Sequence, residues 1–317
     1  MMIMAICPFE RTMICYNMDS SNASLHYKDV EALKPFFSGI LLLLLFVLLP
    51  AIHTQAAKPI QLTIDGVPII SDVAPEIKKG RTMVPLRVIS ESLVANVAWS
   101  NKEVTLAKQD LNVKLTLNSK AVMQNKVQQQ LEAAPYLKNN RTMVPLRFIA
   151  ETFGCQVTYE KRTVAVNCNP LRINGMETKA FQAESLMTMG TVIREFHGNE
   201  LLKALYEVIE QNKGKHVQAP AERDGQRVTI RPDIFSILLQ YDFMDVEGKS
   251  VKHYEIYVKA SGSPNQDGSN AYSDILLYDA NNDVWYEFNE DAIDKIWALQ
   301  NNVSELGLSQ LIHYGSA

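Results

Sequence analysis

Asp279, Asn281, Asp283 and Glu290, within the stretch DANNDVWYEFNE, stand at positions 1, 3, 5 and 12 of the spacing that a calcium loop uses. Calcium takes oxygen donors, and these side chains supply carboxylates and an amide oxygen. Position 6 of such a loop takes a glycine for its sharp turn, whereas this chain has Val284 there. Alternation on either side of Asn281-Asn282 also fits a hairpin, in which Asn and Asp are ordinary turn residues. Metal and turn therefore compete for the same side chains.

His253 and Glu255 are two residues apart in KHYEIYVKA, which places them on one face of a strand, and a histidine beside a carboxylate suits acid-base chemistry. Asp242 and Asp245 add carboxylates nearby in sequence, although carboxylates at strand edges commonly serve solubility. The chain has no G-x-S-x-G elbow, H-E-x-x-H, P-loop or dinucleotide glycine fingerprint. It therefore reads as a non-enzyme, with no catalytic residue and no cofactor expected.

Cys155 and Cys168 bound the segment CQVTYEKRTVAVNC, which alternates around a turn at Lys161-Arg162. Pairing Glu160 with Thr163 sets Tyr159 opposite Val164 and Cys155 opposite Cys168, at a position where cross-strand side chains approach closest. A disulfide closing so short a loop contributes about 3 kcal/mol in an oxidising compartment. A reactive thiol or metal pair is the functional alternative, but neither cysteine has a histidine near it in sequence.

The remaining candidates are arginines that occur twice. GRTMVPLRVISE begins at Gly80 and NRTMVPLRFIAE at Asn140, and 11 of the 26 positions from Arg81 to Leu106 are identical in the second copy. Chance does not produce such a match, so this is an internal duplication. Arg81, Arg87, Arg141 and Arg147 offer guanidinium groups to anionic polymers. They are equally suited to flank a strand and decorate a helix, where charges form a solvated face.

The elements that must position these groups follow from the same words. In each copy a short strand runs into Pro85 or Pro145, suited to a helix start because its missing N–H is not needed there. The helix buries Leu86, Ile89 and Leu93, or Leu146, Ile149 and Phe153, at three- and four-residue spacing, and carries Arg87/Glu91 or Arg147/Glu151 as surface pairs. A hairpin follows, NVAWSNKEVTLA or QVTYEKRTVAVN, and further strands, IQLTIDGVPI and VKLTLNSKAV, precede the units. The first copy has Ala95 and Lys108 where the second has its cysteines.

This pattern, a duplicated VPLR helix followed by a V-x-[WY] hairpin over about 110 residues, resembles the copper amine oxidase N-terminal-like family. That resemblance implies a non-catalytic stalk domain of exported proteins of Gram-positive bacteria. It implies neither copper nor oxidase activity. The chain also lacks a T-x-x-N-Y-[DE] context, its nearest being ILLQYDF around Tyr241, and lacks an H-x-H pair; His197, His216, His253 and His313 are widely separated.

The chain has 317 residues, 47% hydrophobic and 21% charged, a globular composition long enough for two ordinary domains. Residues 1–57 read as an N-terminal extension and signal peptide, with the charge-free apolar run at 36–52 followed by HTQAAK. An uncleaved anchor is the alternative, since a run of about 17 apolar residues is at the lower limit for spanning a bilayer. Only in that case is a membrane a partner. Cys7 and Cys15 precede the run and would leave with the leader.

Residues 58–170 hold 15 Lys/Arg against 9 Asp/Glu, whereas residues 171–317 hold 13 against 22, so a basic region meets an acidic one near Pro170. The basic domain suits an anionic cell-wall polymer, and the acidic one an unidentified protein or small ligand. Nucleic acid is disfavoured, because no aromatic-basic platform accompanies the positive charge. After a linker at 171–185, residues 186–302 read as an α+β sandwich with a tail at 303–317. Its elements are a helix capped near Asn199 and ending before Gly214, a mostly antiparallel sheet of about four strands, and a last helix capped by Asn289 that buries Ile293, Ile296 and Trp297. The fold class is α+β throughout, and the expected location is extracellular or at the cell surface.

Overall fold

The two RTMVPLR strands face each other. Strand Arg81–Pro85 pairs antiparallel with strand Arg141–Pro145, with Val84 opposite Val144, Met83 opposite Pro145 and Pro85 opposite Met143. That register is self-complementary, so a local two-fold passes through the Val84/Val144 pair. Glu76–Lys78 and Tyr136–Lys138 extend the sheet symmetrically on its two edges. Each proline closes its strand and caps a short helix, α1 (Leu86–Ser92) or α2 (Leu146–Thr152). A residue without an N–H costs nothing where a ladder stops and a helix has not yet begun.

The computed structural model describes residues 59–187, 190–224, 234–260 and 272–315. The apolar run at 36–52 and the polar loop at 261–271 lie outside them. Among the described residues no helix is long and apolar enough to cross a membrane.

A sixty-residue offset relates the backbone well beyond the repeated words. Left-handed residues recur at Asp65 and Asn125, at Lys79 and Asn139, at Asn101 and Lys161, and at Val94 and Gly154. Glycine is the natural occupant of the last position, where φ is +81°. Val94 holds the same backbone at φ 54° while packing against the core of the C-terminal lobe. The offset also corrects the pairing of the preceding strands. Gln61–Ile64 is equivalent to Ala121–Gln124, and Leu111–Thr116 lies between the two units. The extra strand inserts between Glu103–Lys108 and Ala121–Gln124, whereas Gln61–Ile64 pairs directly and in parallel with Thr163–Asn167.

The expected apolar faces of α1 and α2 are buried, in one core with Leu62, Ile64, Val104, Leu106, Val164 and Val166. The second hairpin has the register Glu160 to Thr163 and Tyr159 to Val164, and Cys155 is bonded to Cys168 beyond its far end.

The C-terminal lobe is larger than the sequence suggested. Among the described residues its sheet has nine strands, not about four. Ala180–Met187, placed partly in the linker, and Ser309–Gly315, placed in the tail, are both full strands flanking Gly190–Phe196. Both segments are half polar, which hid their alternation. The long central strands are Phe235–Met244, Ser250–Ala260 and Tyr272–Asp279, all antiparallel. Helices α3 (Asn199–Gln211) and α4 (Glu290–Ser304) cover one face around Phe181, Tyr241, Phe243, Tyr254, Ile256 and Leu277.

Asn289 caps α4 as expected, its Oδ1 accepting the Ala292 N–H at 2.8 Å. Ile293 and Ile296 are buried, but Trp297 is 42% exposed, because the buried stripe continues through Val303 and leaves position 297 to one side. Asn199 is the first residue of α3 and not its cap, which is Gly198. Gly214 follows α3 and lies so close to Glu287 that an added Cβ would meet its Cβ at 2.9 Å.

Candidate functional site

The face of the C-terminal sheet opposite α3 and α4 collects the polar residues. Strand registry places Gln182 opposite Asp242 and Asp242 opposite His253, while Glu184, Gln240 and Glu255 form the next row. His253 is clamped: Nδ1 lies 2.9 Å from Asp242 Oδ1 and Nε2 lies 3.3 Å from Glu255 Oε1. Tyr257 donates its hydroxyl to Glu255 Oε2 at 2.7 Å, and Ser250 donates to Asp242 Oδ1 at 2.5 Å. The two carboxylates raise the imidazole pKa to about 9 against the opposing effect of partial burial. Burial, and the neighbouring Asp242, push the Glu184 carboxyl above its usual range.

This geometry limits the chemistry. Both ring nitrogens of His253 are engaged, and the raised pKa favours the imidazolium, a form that donates a proton and does not accept one. Ser250 is bonded to Asp242 and not to the imidazole, so its hydroxyl is not activated as a nucleophile. Asp245 sits apart, its Oδ1 accepting the N–H groups of Glu247 and Lys249 in a tight turn. What remains is a fixed surface of carboxylates beside an aromatic cluster in which Trp285 stacks on Tyr278, with ring centroids 4.7 Å apart.

The calcium candidates do not converge. Asp279 is fully buried and receives Lys252 Nζ at 2.5 Å, Lys213 Nζ at 3.0 Å and Asn282 Nδ2 at 2.9 Å. Burial pushes its carboxyl up, but the two ammonium groups outweigh that and hold it below the usual range. Asn281 Oδ1 accepts the His253 N–H at 2.7 Å, Asp283 Oδ1 accepts the Tyr278 hydroxyl at 2.9 Å, and Glu290 opens α4. The segment is the turn of a hairpin, with Asp283 at φ 53°, and two lysines occupy the coordination space of its first carboxylate. Sequence reasoning missed Lys252 and Lys213. The signal was present for Lys252, which shares the inward face of its strand with Tyr254, Ile256 and Val258.

A third cluster joins the lobes. Asp65, in the first left-handed turn, accepts the Cys168 N–H at 2.7 Å and the Asn199 N–H at 2.8 Å, while Asn199 Nδ2 donates to the Cys168 carbonyl at 2.8 Å. A carboxylate from one lobe thus caps the first helix of the other. Burial raises the Asp65 pKa in spite of these bonds. Beside it Lys108, the counterpart of Cys168, pairs with Glu200, which also takes Lys203 at 2.7 Å.

The arginines of the repeat form ion pairs that also obey the offset. Arg141 meets Asp72 at 2.6 Å and Arg81 meets Glu132; Arg87 meets Glu91 at 2.7 Å and Arg147 approaches Glu151 at 3.8 Å. Pro85 and Pro145 set the corner from which each helical arginine projects. Residues 63–168 match the family model of the copper amine oxidase N-terminal domain. No curated protein and no solved structure matches the chain.

The residues of this copper amine oxidase N-terminal domain do not fit a copper site. Among the described residues, the single cluster of three candidate donors is Cys155, Cys168 and Glu200. Its two sulfurs are bonded to each other, so neither is a thiolate, and Glu200 is engaged by Lys108 and Lys203.

Proposed function

We propose that the chain is an exported, non-catalytic binding protein of the cell surface or wall, in which the duplicated copper amine oxidase N-terminal domain is the scaffold or stalk and the C-terminal lobe presents a partner-binding face. His253 carries this proposal. Held as a cation between Asp242 and Glu255, it is withdrawn from catalysis and leaves Glu184 and its neighbours as an acidic face for a protein or small ligand with cationic groups. The Cys155–Cys168 disulfide supports an oxidising compartment. The basic excess of residues 58–170 supports contact with an anionic wall polymer.

Co-sedimentation of residues 58–317 with isolated Gram-positive cell walls across a salt series tests this. Pelleting that fades with salt is expected, and a protein that stays in the supernatant at low salt removes the wall from the proposal. Assay of the same preparation against wall fragments tests the rival, a cell-envelope enzyme. Turnover that disappears in His253→Gln would overturn the non-catalytic assignment.

A further inference from the structure

Two pockets on the N-terminal lobe are related by the sixty-residue offset. One, of about 390 Å³, is lined by Ile70, Asp72, Arg87, Val88 and Arg141. The other, of about 420 Å³, is lined by their counterparts Gln130, Glu132, Arg147, Phe148 and Arg81. Each is built across the local two-fold, with a loop and a helix from one copy and the strand arginine of the other. In the first, the chain itself supplies one wall. Glu305 and Leu306, just past α4, line it; Leu306 is 6% exposed and joins the apolar core of the N-terminal lobe. The Leu306 carbonyl accepts the Ile70 N–H at 2.9 Å, and Glu305 lies 3.8 Å from the Arg87 guanidinium. Gly307 completes the turn at φ +84°, where a Cβ would stand 3.1 Å from the Pro68 carbonyl oxygen.

Among the described residues, none from the C-terminal lobe lines the second pocket. It repeats the features that receive the Glu-Leu-Gly turn. Arg147 holds the place of Arg87, with Glu151 at 3.8 Å and its guanidinium 5.1 Å from the Tyr159 ring. Gln130 holds the place of Ile70, at the end of an edge strand of its sheet. Phe148 is half-buried where Val88 is buried, and Ile77 and Tyr159 add apolar surface at 67% and 47% exposure. We propose that this second pocket docks a turn of a partner polypeptide in which a carboxylate residue is followed by an aliphatic one, the chemistry that Glu305 and Leu306 present to the first. The carboxylate pairs with Arg147 and the aliphatic side chain packs on Phe148.

The probe is a labelled synthetic peptide with the sequence NNVSELGLSQL, residues 301–311, titrated into residues 58–317, which form one compact unit. Saturable binding is expected. It should weaken about tenfold in Arg147→Glu and in a peptide whose leucine at the position of Leu306 is alanine, each losing one principal contact. Arg87→Glu should leave it unchanged, which separates the second pocket from exchange into the first. Circular dichroism and melting of each variant establish that a loss is not unfolding. No binding at about 1 mM peptide, equal loss in Arg87→Glu, or binding indifferent to the leucine would overturn the proposal. Displacement by polyphosphate with the same dependence on Arg147, but none on Phe148→Ala, would overturn it in favour of an anionic polymer.

Discussion

The two lobes use their charges in opposite ways. In the N-terminal lobe the ion pairs Arg81–Glu132, Arg87–Glu91 and Arg141–Asp72 sit at the surface, while an apolar core and a disulfide hold the interior. In the C-terminal lobe Lys252 and Asp279 are both buried, and His253 is pinned between two carboxylates. Surface pairs are screened and contribute little, whereas a buried pair makes each partner indispensable to the other. The surface pairs of the N-terminal lobe should therefore tolerate charge mutation, whereas the buried pair of the C-terminal lobe should not.

The largest test of that contrast is Asp279→Ala. It leaves Lys252 buried without a counter-charge, while Lys213 keeps Glu210 at 2.6 Å, and should cost about 3–5 kcal/mol in denaturant unfolding. A loss no larger than that of a surface mutation would erase the contrast. In the N-terminal lobe the corresponding weak point is covalent. Cys155→Ala with Cys168→Ala should lower stability by about 3 kcal/mol, and reduction of the native protein should lower its melting temperature to that of the double variant.

A pH series separates the lobes without mutation. The folded pKa of His253 is raised to about 9 from 6.5, so its contribution is complete below the unfolded value and is lost as pH rises through the folded one. Stability should fall by up to about 3 kcal/mol between roughly pH 6.5 and 9.5. His253→Gln should abolish that slope, and a slope that survives would place the titration elsewhere.

Asp65→Ala tests the joint between the lobes. It removes the acceptor of two backbone N–H groups, one of them at the start of α3, and should cost about 2 kcal/mol. Hydrogen exchange should quicken first at Cys168 and Asn199. The smallest effect belongs to Arg81→Ala, whose exposed pair with Glu132 should contribute less than about 1 kcal/mol.

Much of the N-terminal lobe was legible because its signals are local. Helical spacing named the buried faces of α1 and α2, and turn chemistry at Lys161-Arg162 set the hairpin register that brings Cys155 to Cys168. The C-terminal sheet was underestimated because Ala180–Met187 and Ser309–Gly315 interleave charged and amide residues with apolar ones. The shared strand face of His253 and Glu255 was readable from their spacing. Their partner Asp242 was not, because cross-strand registry over an eleven-residue separation depends on the turn between them.

By itself the sequence determined the sixty-residue recurrence, the proline-led corner, the disulfide and the alternation of the central strands, since the recurrence is written in the residues themselves and each of the others is confined to one turn, strand or hairpin. Only the tertiary structure decided that the two corners pair about Val84 and Val144, that Asp65 caps a helix more than a hundred residues away, and that Asp279 lies between two lysines. It also decided that the turn at Glu305-Leu306 lines one of two equivalent pockets. Those outcomes depend on which surfaces meet when the chain closes, and short-range periodicity carries no record of that.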